Sequence, residues 1–401
     1  MAACTESGVG RAPTVRLLYA VTVPVSARAF FRGRLAYLKE RGYEVHLASS
    51  PGEDLEEAGR REGIVTHALP MRRPIALFAD MVSFFRACLL IRRLNPDLVD
   101  AGTAKAGLIF GLAAALNGVP CRVHSLLGLF ETKRGGLGPL LRFTQRVSCS
   151  CAHLVICISP SLRRRAIEMK MAPPEKIRCI GQGSVNGVDA GRFAPTPANL
   201  AEAAALRQRL GIPEGVPVVG FVGRLVRDKG IPELVDAFLK LKKSHPDVRL
   251  LLVGTFEDVD PVPSATIQAI RSSPGIVAVG FAPNPVPYYH VMDVLAFPTH
   301  REGFGEVALE AAAAGKPVVT TNATGAIDGV VDGITGIVVP VGDADALAGA
   351  LRRILGDPEL ARKMGAAGQL RARTEFRPIA IWEGIDAEYR RLLEDSRRRE
   401  N

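Results

Sequence analysis

Between Asp293 and Val319 the chain spells out a strand, a turn, a helix and a second strand. Asp293-Val294-Leu295-Ala296-Phe297-Pro298 is an apolar run suited to a buried strand. In Glu302-Gly303-Phe304-Gly305-Glu306-Val307-Ala308-Leu309-Glu310, a Gly-Phe-Gly turn opens an Ala-rich helix that runs to Gly315, and Gly315-Lys316-Pro317-Val318-Val319 leads into the next strand. A helix between two buried strands belongs to a parallel sheet. The turn leaves the first N–H groups of the helix without intrahelical partners, at the electropositive end of its dipole. That end suits a phosphate. Glu310, about one turn in, can accept hydrogen bonds from ribose hydroxyls. Glu302, still on the loop, can do so for a sugar beyond the phosphates.

The same alternation runs through the rest of the chain, and it runs twice. In the first pass the strands are Val15–Val21, Tyr43–Ala48, Val65–Leu69, Leu98–Asp100, Arg122–Leu126 and Leu154–Ile158. Helical patterns lie between them, from about Phe30 to Arg41, Leu77 to Leu94 and Lys105 to Leu116. The segment Gly181-Gln182-Gly183-Ser184-Val185-Asn186-Gly187-Val188-Asp189 is turn-rich, and 195–199 is polar with prolines. The pattern then restarts with strands Val216–Val222, Val248–Val253 and Ile276–Val279, followed by the 293–319 unit and Ile337–Pro340. These patterns predict an α/β chain with two doubly wound domains, residues 1–189 and 190–377. An amphipathic segment, 378–401, follows them.

Composition bounds the function. The charge is uneven: residues 1–190 carry 26 Lys/Arg against 15 Asp/Glu, a net of +11, and the remainder is close to neutral at −1. Such asymmetry suggests an anionic partner for the first half, either a lipid surface or a phosphate-bearing acceptor. Only 6% of residues are aromatic and no reading motif appears, so nucleic acid is not expected. Seven cysteines without a second spaced pair argue against zinc and for reduced thiols in a cytoplasmic protein, and no signal peptide is apparent at the N-terminus. The apolar stretch Ile75–Ile91 is interrupted by Asp80 and Arg86 and is short for a membrane span. Arg72 and Arg73 precede it and Arg92 and Arg93 follow it, which fits a peripheral helix on the inner face of a membrane.

A second chemical loop follows the first strand of the second half. Gly223-Arg224-Leu225-Val226-Arg227-Asp228-Lys229-Gly230 places Arg224 and Lys229 at the carboxyl end of a strand, where open α/β sheets bind ligands. There an Arg fork and a Lys point charge can neutralise a diphosphate. Arg227 reads as solvent-facing. Gly254 and Phe281 end the next two strands and can meet the nucleoside. Asp258-Val259-Asp260 has the letters of a metal triplet, but reads as a solvated loop, and no metal is expected.

Taken together, Gly-Arg-Leu-x-x-x-Lys-Gly (223–230), Asp-Val-Leu-Ala-Phe-Pro (293–298), Glu-Gly-Phe-Gly-x-x-x-x-Glu (302–310) and Gly-Lys-Pro-Val-Val (315–319) resemble the donor domain of the retaining GT-B glycosyltransferases. Within these the chain is most similar to family 4, which includes glycogen synthase and sucrose synthase. Lys105–Leu108 and Ile158-Ser159-Pro160-Ser161-Leu162 extend the resemblance to the first half. It implies two Rossmann-like domains facing across a cleft, with a C-terminal helix crossing back to the first domain. It also implies a nucleoside-diphosphate sugar as donor, expected to be UDP-linked, and no bound metal or other cofactor. By the same resemblance Arg224 and Lys229 hold the diphosphate, Glu310 the ribose, and Glu302 with the backbone of Phe304, Gly305 and Glu306 the donor sugar. The implied catalytic set is Glu302, Arg224 and Lys229.

The first half departs from its relatives. Asp100-Ala101-Gly102-Thr103-Ala104-Lys105 contains no histidine, and Leu127-Gly128 stands where many relatives carry Arg or His before the glycine. His124 reads as structural. The loop from Glu131 to Gly138 is cationic and glycine-rich, a candidate for an acceptor phosphate. A glycan-bearing, lipid-linked acceptor and a soluble small-molecule acceptor both fit. A non-catalytic nucleotide-sugar binder is the alternative of another class, disfavoured by the intact Arg224, Lys229, Glu302 and Glu310.

Overall fold

A computed structural model of the chain describes residues 14–130 and 138–400. The N-terminal tail and the 131–137 loop singled out above lie outside the described residues. Apolar runs flanked by glycine and proline become 13 strands. In the first half these are β1 (Val15–Ala20), β2 (Tyr43–Ser49), β3 (Val65–Ala68), β4 (Leu98–Gly102), β5 (Cys121–Leu126), β6 (Leu154–Cys157) and β7 (Ile177–Cys179). In the second they are β8 (Val218–Val222), β9 (Arg249–Val253), β10 (Ile276–Gly280), β11 (Val294–Phe297), β12 (Val318–Thr321) and β13 (Gly336–Val339). All pair in parallel, which explains why they read as continuous apolar runs rather than as alternation: helices cover both faces.

The two sheets repeat one order. The first runs β3-β2-β1-β4-β5-β6-β7 and the second β10-β9-β8-β11-β12-β13. In each, the winding reverses once, between β1 and β4 and between β8 and β11. At such a reversal the loops leave adjacent strand ends in opposite directions, and a crevice opens. The loops from residues 223 and 298, which carry the chemistry inferred above, leave β8 and β11 at the reversal of the second sheet.

The Pro378–Glu400 helix crosses back and packs on the first domain. Ile381, Ile385, Tyr389, Leu392 and Leu393 join a core with Leu17, Tyr19, Leu35 and Leu38. Arg41 and Tyr43 of the first domain bind Asp386 at 3.1 and 2.8 Å.

Two expectations need correction. The helix expected over about Phe30–Arg41 begins only at Arg34 and runs to Glu40, behind a separate helix at Pro24–Phe30. Gly33 stands between them with φ of +79°, and Trp382 of the returning helix packs where a Cβ would stand, at 2.6 Å. Asp260 is not merely solvated. Its carboxylate accepts from the backbone N–H of Asp228 at 2.6 Å and its carbonyl from that of Arg227 at 3.0 Å.

Candidate active site

Asp228 pins the site's loops together. Its carbonyl accepts from the N–H of His300 at 2.8 Å, and its carboxylate accepts from Arg301 Nε at 2.7 Å. With Asp260 below it, one residue ties the loops after β8, β9 and β11 into a single unit. Gly230, at φ of +71°, lets the chain turn beneath Pro298, whose carbonyl oxygen would lie 2.1 Å from a Cβ at that position. Lys229 is thereby delivered to the start of the Glu306–Ala313 helix. Its ammonium pairs with the Glu302 carboxylate and stands 5.7 Å from the centre of the Phe297 ring. The two sequence motifs, about 75 residues apart, meet in this ion pair.

The remaining expected residues divide by what their side chains are free to do. Glu310 faces the site with one oxygen accepting from the Tyr289 hydroxyl at 2.6 Å, and burial raises its pKa. Phe304 is buried against Phe376 with ring centres 5.6 Å apart, so only its backbone can meet a ligand. Gly305 caps the helix without a side-chain oxygen, but the first turn is less open than expected: the Glu306 N–H donates to the Phe304 carbonyl at 3.0 Å and the Ala308 N–H to the Gly305 carbonyl at 2.9 Å. Glu306 turns its carboxylate away, accepting from Ser184 Oγ at 2.8 Å and Val185 N at 2.7 Å, both in the connection between the sheets. Burial pushes its pKa up to about 7. Arg224 lies at the exposed rim, paired with Glu257 at 2.9 Å. Gly254 packs against the Gly223 backbone beside it. Phe281 is 65% exposed at the end of β10.

Sequence reasoning missed the residues that support this set. Tyr289, Asp228, Arg301, Ser184 and the His300–Glu233 pair, 3.0 Å apart, were not singled out. Arg301 and His300 adjoin Glu302 and were within reach of a reading by proximity. Tyr289 gives no signal, because it lies in an ordinary apolar stretch and meets Glu310 only through the fold.

The first domain closes over this site. Gly303 lies against the Leu127 carbonyl, which a Cβ would approach to 1.9 Å, so the glycine permits direct contact between the domains. Asp328 accepts from the N–H of Ser161 at 3.1 Å and from its hydroxyl. Behind Leu127, a cavity of about 30 Å³ is bounded by Tyr19, Arg34, Asp100, Ser125 and Ser184. It has room for a water molecule or two, not a sugar. Asp100 there accepts from Tyr389 at 2.5 Å and from Ser125 at 2.9 Å. His124 is buried, with Nδ1 2.7 Å from the Ala101 carbonyl oxygen, and burial lowers its pKa. It is structural, as expected.

Two Rossmann-like domains with matching strand orders, a cleft between them and a C-terminal helix returning to the first define the GT-B architecture. Residues 202–371 match the family described as glycosyl transferases group 1, and residues 27–183 match the glycosyl transferase 4-like domain. The chain is 35% identical over 382 residues to the capsular polysaccharide biosynthesis glycosyltransferase CapM of Staphylococcus aureus, covering 95% of this chain and 98% of the relative. It is also 33% identical to the D-inositol 3-phosphate glycosyltransferase of Acidothermus cellulolyticus, over 81% of this chain and 73% of the relative. Among solved structures, Anabaena HepE in complex with UDP and glucose superposes with a TM-score of 0.79 at 21% identity, over 94% of this chain and 99% of that one. The protein belongs to the group 1 glycosyl transferases and is a GT-B glycosyltransferase.

Proposed function

We propose that the protein transfers a hexose or N-acetylhexosamine from a UDP-linked donor to a polyprenyl-linked glycan during polysaccharide assembly, with retention and without a metal ion. The observation that carries this reading is the meeting of Lys229 and Glu302 at the start of the Glu306–Ala313 helix, with Glu310 one turn along. The diphosphate takes the helix start and the Lys229 ammonium, with Arg224 swinging in from Glu257. Glu310, oriented by Tyr289, accepts from the ribose hydroxyls. Glu302 exchanges its contact with Lys229 for hydroxyls of the donor sugar.

In the reaction, the bond between the anomeric carbon and the phosphate oxygen breaks as the acceptor oxygen bonds to that carbon from the same face. The acceptor's proton passes to the departing phosphate oxygen. Lys229 and the electropositive end of the helix stabilise the charge that develops there, a role worth several kcal/mol when such groups are held in place beforehand. The likeness to CapM supports a polysaccharide acceptor.

The test is product analysis by mass spectrometry, with purified protein, a panel of UDP-sugars and detergent-solubilised polyprenyl-diphosphate glycans. A single hexose or N-acetylhexosamine added in chelator-treated buffer, with α stereochemistry by NMR when the donor is α-linked, is the expected result. Transfer only to a soluble acceptor overturns the acceptor assignment. A requirement for added divalent metal overturns the metal-free reading. Failure of the site variant Glu302→Gln to lower turnover more than UDP affinity removes Glu302 from the sugar.

A further inference from the structure

We propose that the outer face of the Leu77–Leu94 helix is a docking surface for an anionic lipid bilayer, with apolar side chains entering the membrane between two arginine pairs. The inner face of this helix is ordinary: Ser83, Ala87 and Ile91 are buried against the first sheet. The outer face is not. Leu77 and Phe78 are each 81% exposed, and Met81, Phe85 and Leu89 are all more than half exposed. Positions 78, 81, 85 and 89 recur at helical spacing, so they form one continuous ridge. On the adjacent helix Ala104–Leu116, Leu116 is also 73% exposed. Single exposed apolar residues are unremarkable, but a ridge of five on one helix face marks a surface that meets something apolar.

The charges identify that partner. Arg72 and Arg73 before the ridge and Arg92 and Arg93 at its end are all exposed, and Arg86 lies beside it. Apolar residues flanked by cations suit an interfacial helix, whose long cationic side chains reach lipid headgroups while the ridge enters the acyl boundary. A second copy of the chain fits less well. A two-fold contact through this helix, with the copies antiparallel, would set Arg72 and Arg73 of one against Arg92 and Arg93 of the other. Among the described residues no helix is long and apolar enough to cross a membrane, so the contact is a surface one.

The placement of the ridge supplies a reason for it. Its two most exposed residues lie at the helix's N-terminal end, which is fastened to the cleft edge of the first sheet. Lys105, at the start of the helix after β4, binds Asp80 and the Pro74 carbonyl at 2.6 Å each. Ser50, after β2, binds the Met71 and Thr22 carbonyls at 2.6 and 2.8 Å. A bilayer touching Leu77 and Phe78 therefore lies beside the cleft mouth, where a lipid-linked acceptor would enter. The purpose of docking rests on the polyprenyl-linked acceptor proposed above, whereas the docking itself rests on the ridge alone.

Co-sedimentation of the full chain with phosphatidylglycerol-containing vesicles, and with pure phosphatidylcholine, tests the proposal. The wild-type protein is expected to bind the anionic vesicles at least tenfold more tightly. The triple variant Leu77→Ser, Phe78→Ser, Phe85→Ser is expected to lose at least tenfold of that affinity. The variant Arg72→Ser, Arg73→Ser, Arg92→Ser, Arg93→Ser is expected to lose the preference for anionic lipid. UDP affinity, measured by calorimetry, should be unchanged in both. Wild-type protein that ignores anionic vesicles, or an apolar variant that binds them equally well, overturns the proposal. So does a dimer, seen by light scattering, that the apolar variant dissociates while vesicles are ignored. Vesicle binding without transfer to a solubilised polyprenyl acceptor sustains the docking surface and rejects only that acceptor. Transfer without vesicle binding does the reverse.

Discussion

The two cleft faces use their charged groups in opposite ways. On the donor-domain side, Lys229, Glu302, Arg301, Asp228, Arg224 and Glu257 are paired with one another at the ends of strands, partly open to solvent. A ligand can take over these pairings by exchanging partners. On the first-domain side, the polar groups at the same level are Asp100, Tyr19 and Ser125, which bind each other or the returning helix, with Asp100 and Tyr19 buried, and His124, buried on the Ala101 carbonyl. Burial raises the Asp100 pKa, and hydrogen bonds from Tyr389 and Ser125 oppose that. The difference shows why one half carries a legible chemical signature and the other does not. On the proposed reading, a donor shared by many enzymes demands fixed groups at fixed spacing. The first domain's polar groups serve to attach a helix.

The contrast can be broken most decisively at Lys229. Lys229→Ala should weaken UDP binding about 10- to 100-fold by calorimetry, as expected for loss of a charge-assisted hydrogen bond of about 1.5–3 kcal/mol, with the melting temperature nearly unchanged. A stability loss with intact UDP affinity would place Lys229 among the structural groups and erase the distinction.

The converse experiment is Tyr389→Phe. It removes a donor from a buried carboxylate and should destabilise the protein by about 2 kcal/mol in denaturant unfolding, while UDP affinity stays the same. Lost UDP affinity without lost stability would show that the first-domain network serves the ligand after all.

Glu306 sharpens the comparison, because it joins the two faces. Its folded pKa of about 7 exceeds its ordinary value of 4.5. Between these values the native state holds a proton that the unfolded state has released, so this group's contribution to stability is full below the lower value and is lost as pH rises through the upper one. Glu306→Gln removes that dependence. The variant should gain on the wild type by on the order of 3 kcal/mol between about pH 4.5 and about pH 8, measured by unfolding across pH. A constant difference across that range would mean that the carboxyl is ionised throughout.

The smallest expected effect is at Glu310. Glu310→Gln replaces one carboxylate oxygen with an NH2 group, so Tyr289 and the ribose hydroxyls compete for a single accepting oxygen, and it should raise the UDP dissociation constant about fivefold, roughly 1 kcal/mol. Unchanged affinity for UDP would detach Glu310 from the ribose.

Much of this molecule was legible in its order of residues. Parallel strands buried on both faces are continuous apolar runs, so the alternation and the restart after residue 189 stand out without long-range knowledge. The 223–230 and 302–310 segments are equally readable, because each turn is built from neighbours in the chain. Local reading failed where distant segments decide the outcome. Trp382 fills the space a side chain at Gly33 would need, and Asp260 holds the Lys229 turn from 32 residues beyond Asp228. Tyr289 reaches Glu310 only once β10 and β11 are folded beside it. Sequence alone thus determined the fold class, the two-sheet plan and which residues lie on the two loops at the second sheet's reversal, since propensity, periodicity and turn chemistry act within a few residues. Tertiary structure alone decided that Lys229 meets Glu302, that Glu306 turns to the other domain and that one apolar helix face stays uncovered. Each of these is a contact, or a missing one, between segments far apart in the chain, and only packing brings such segments together.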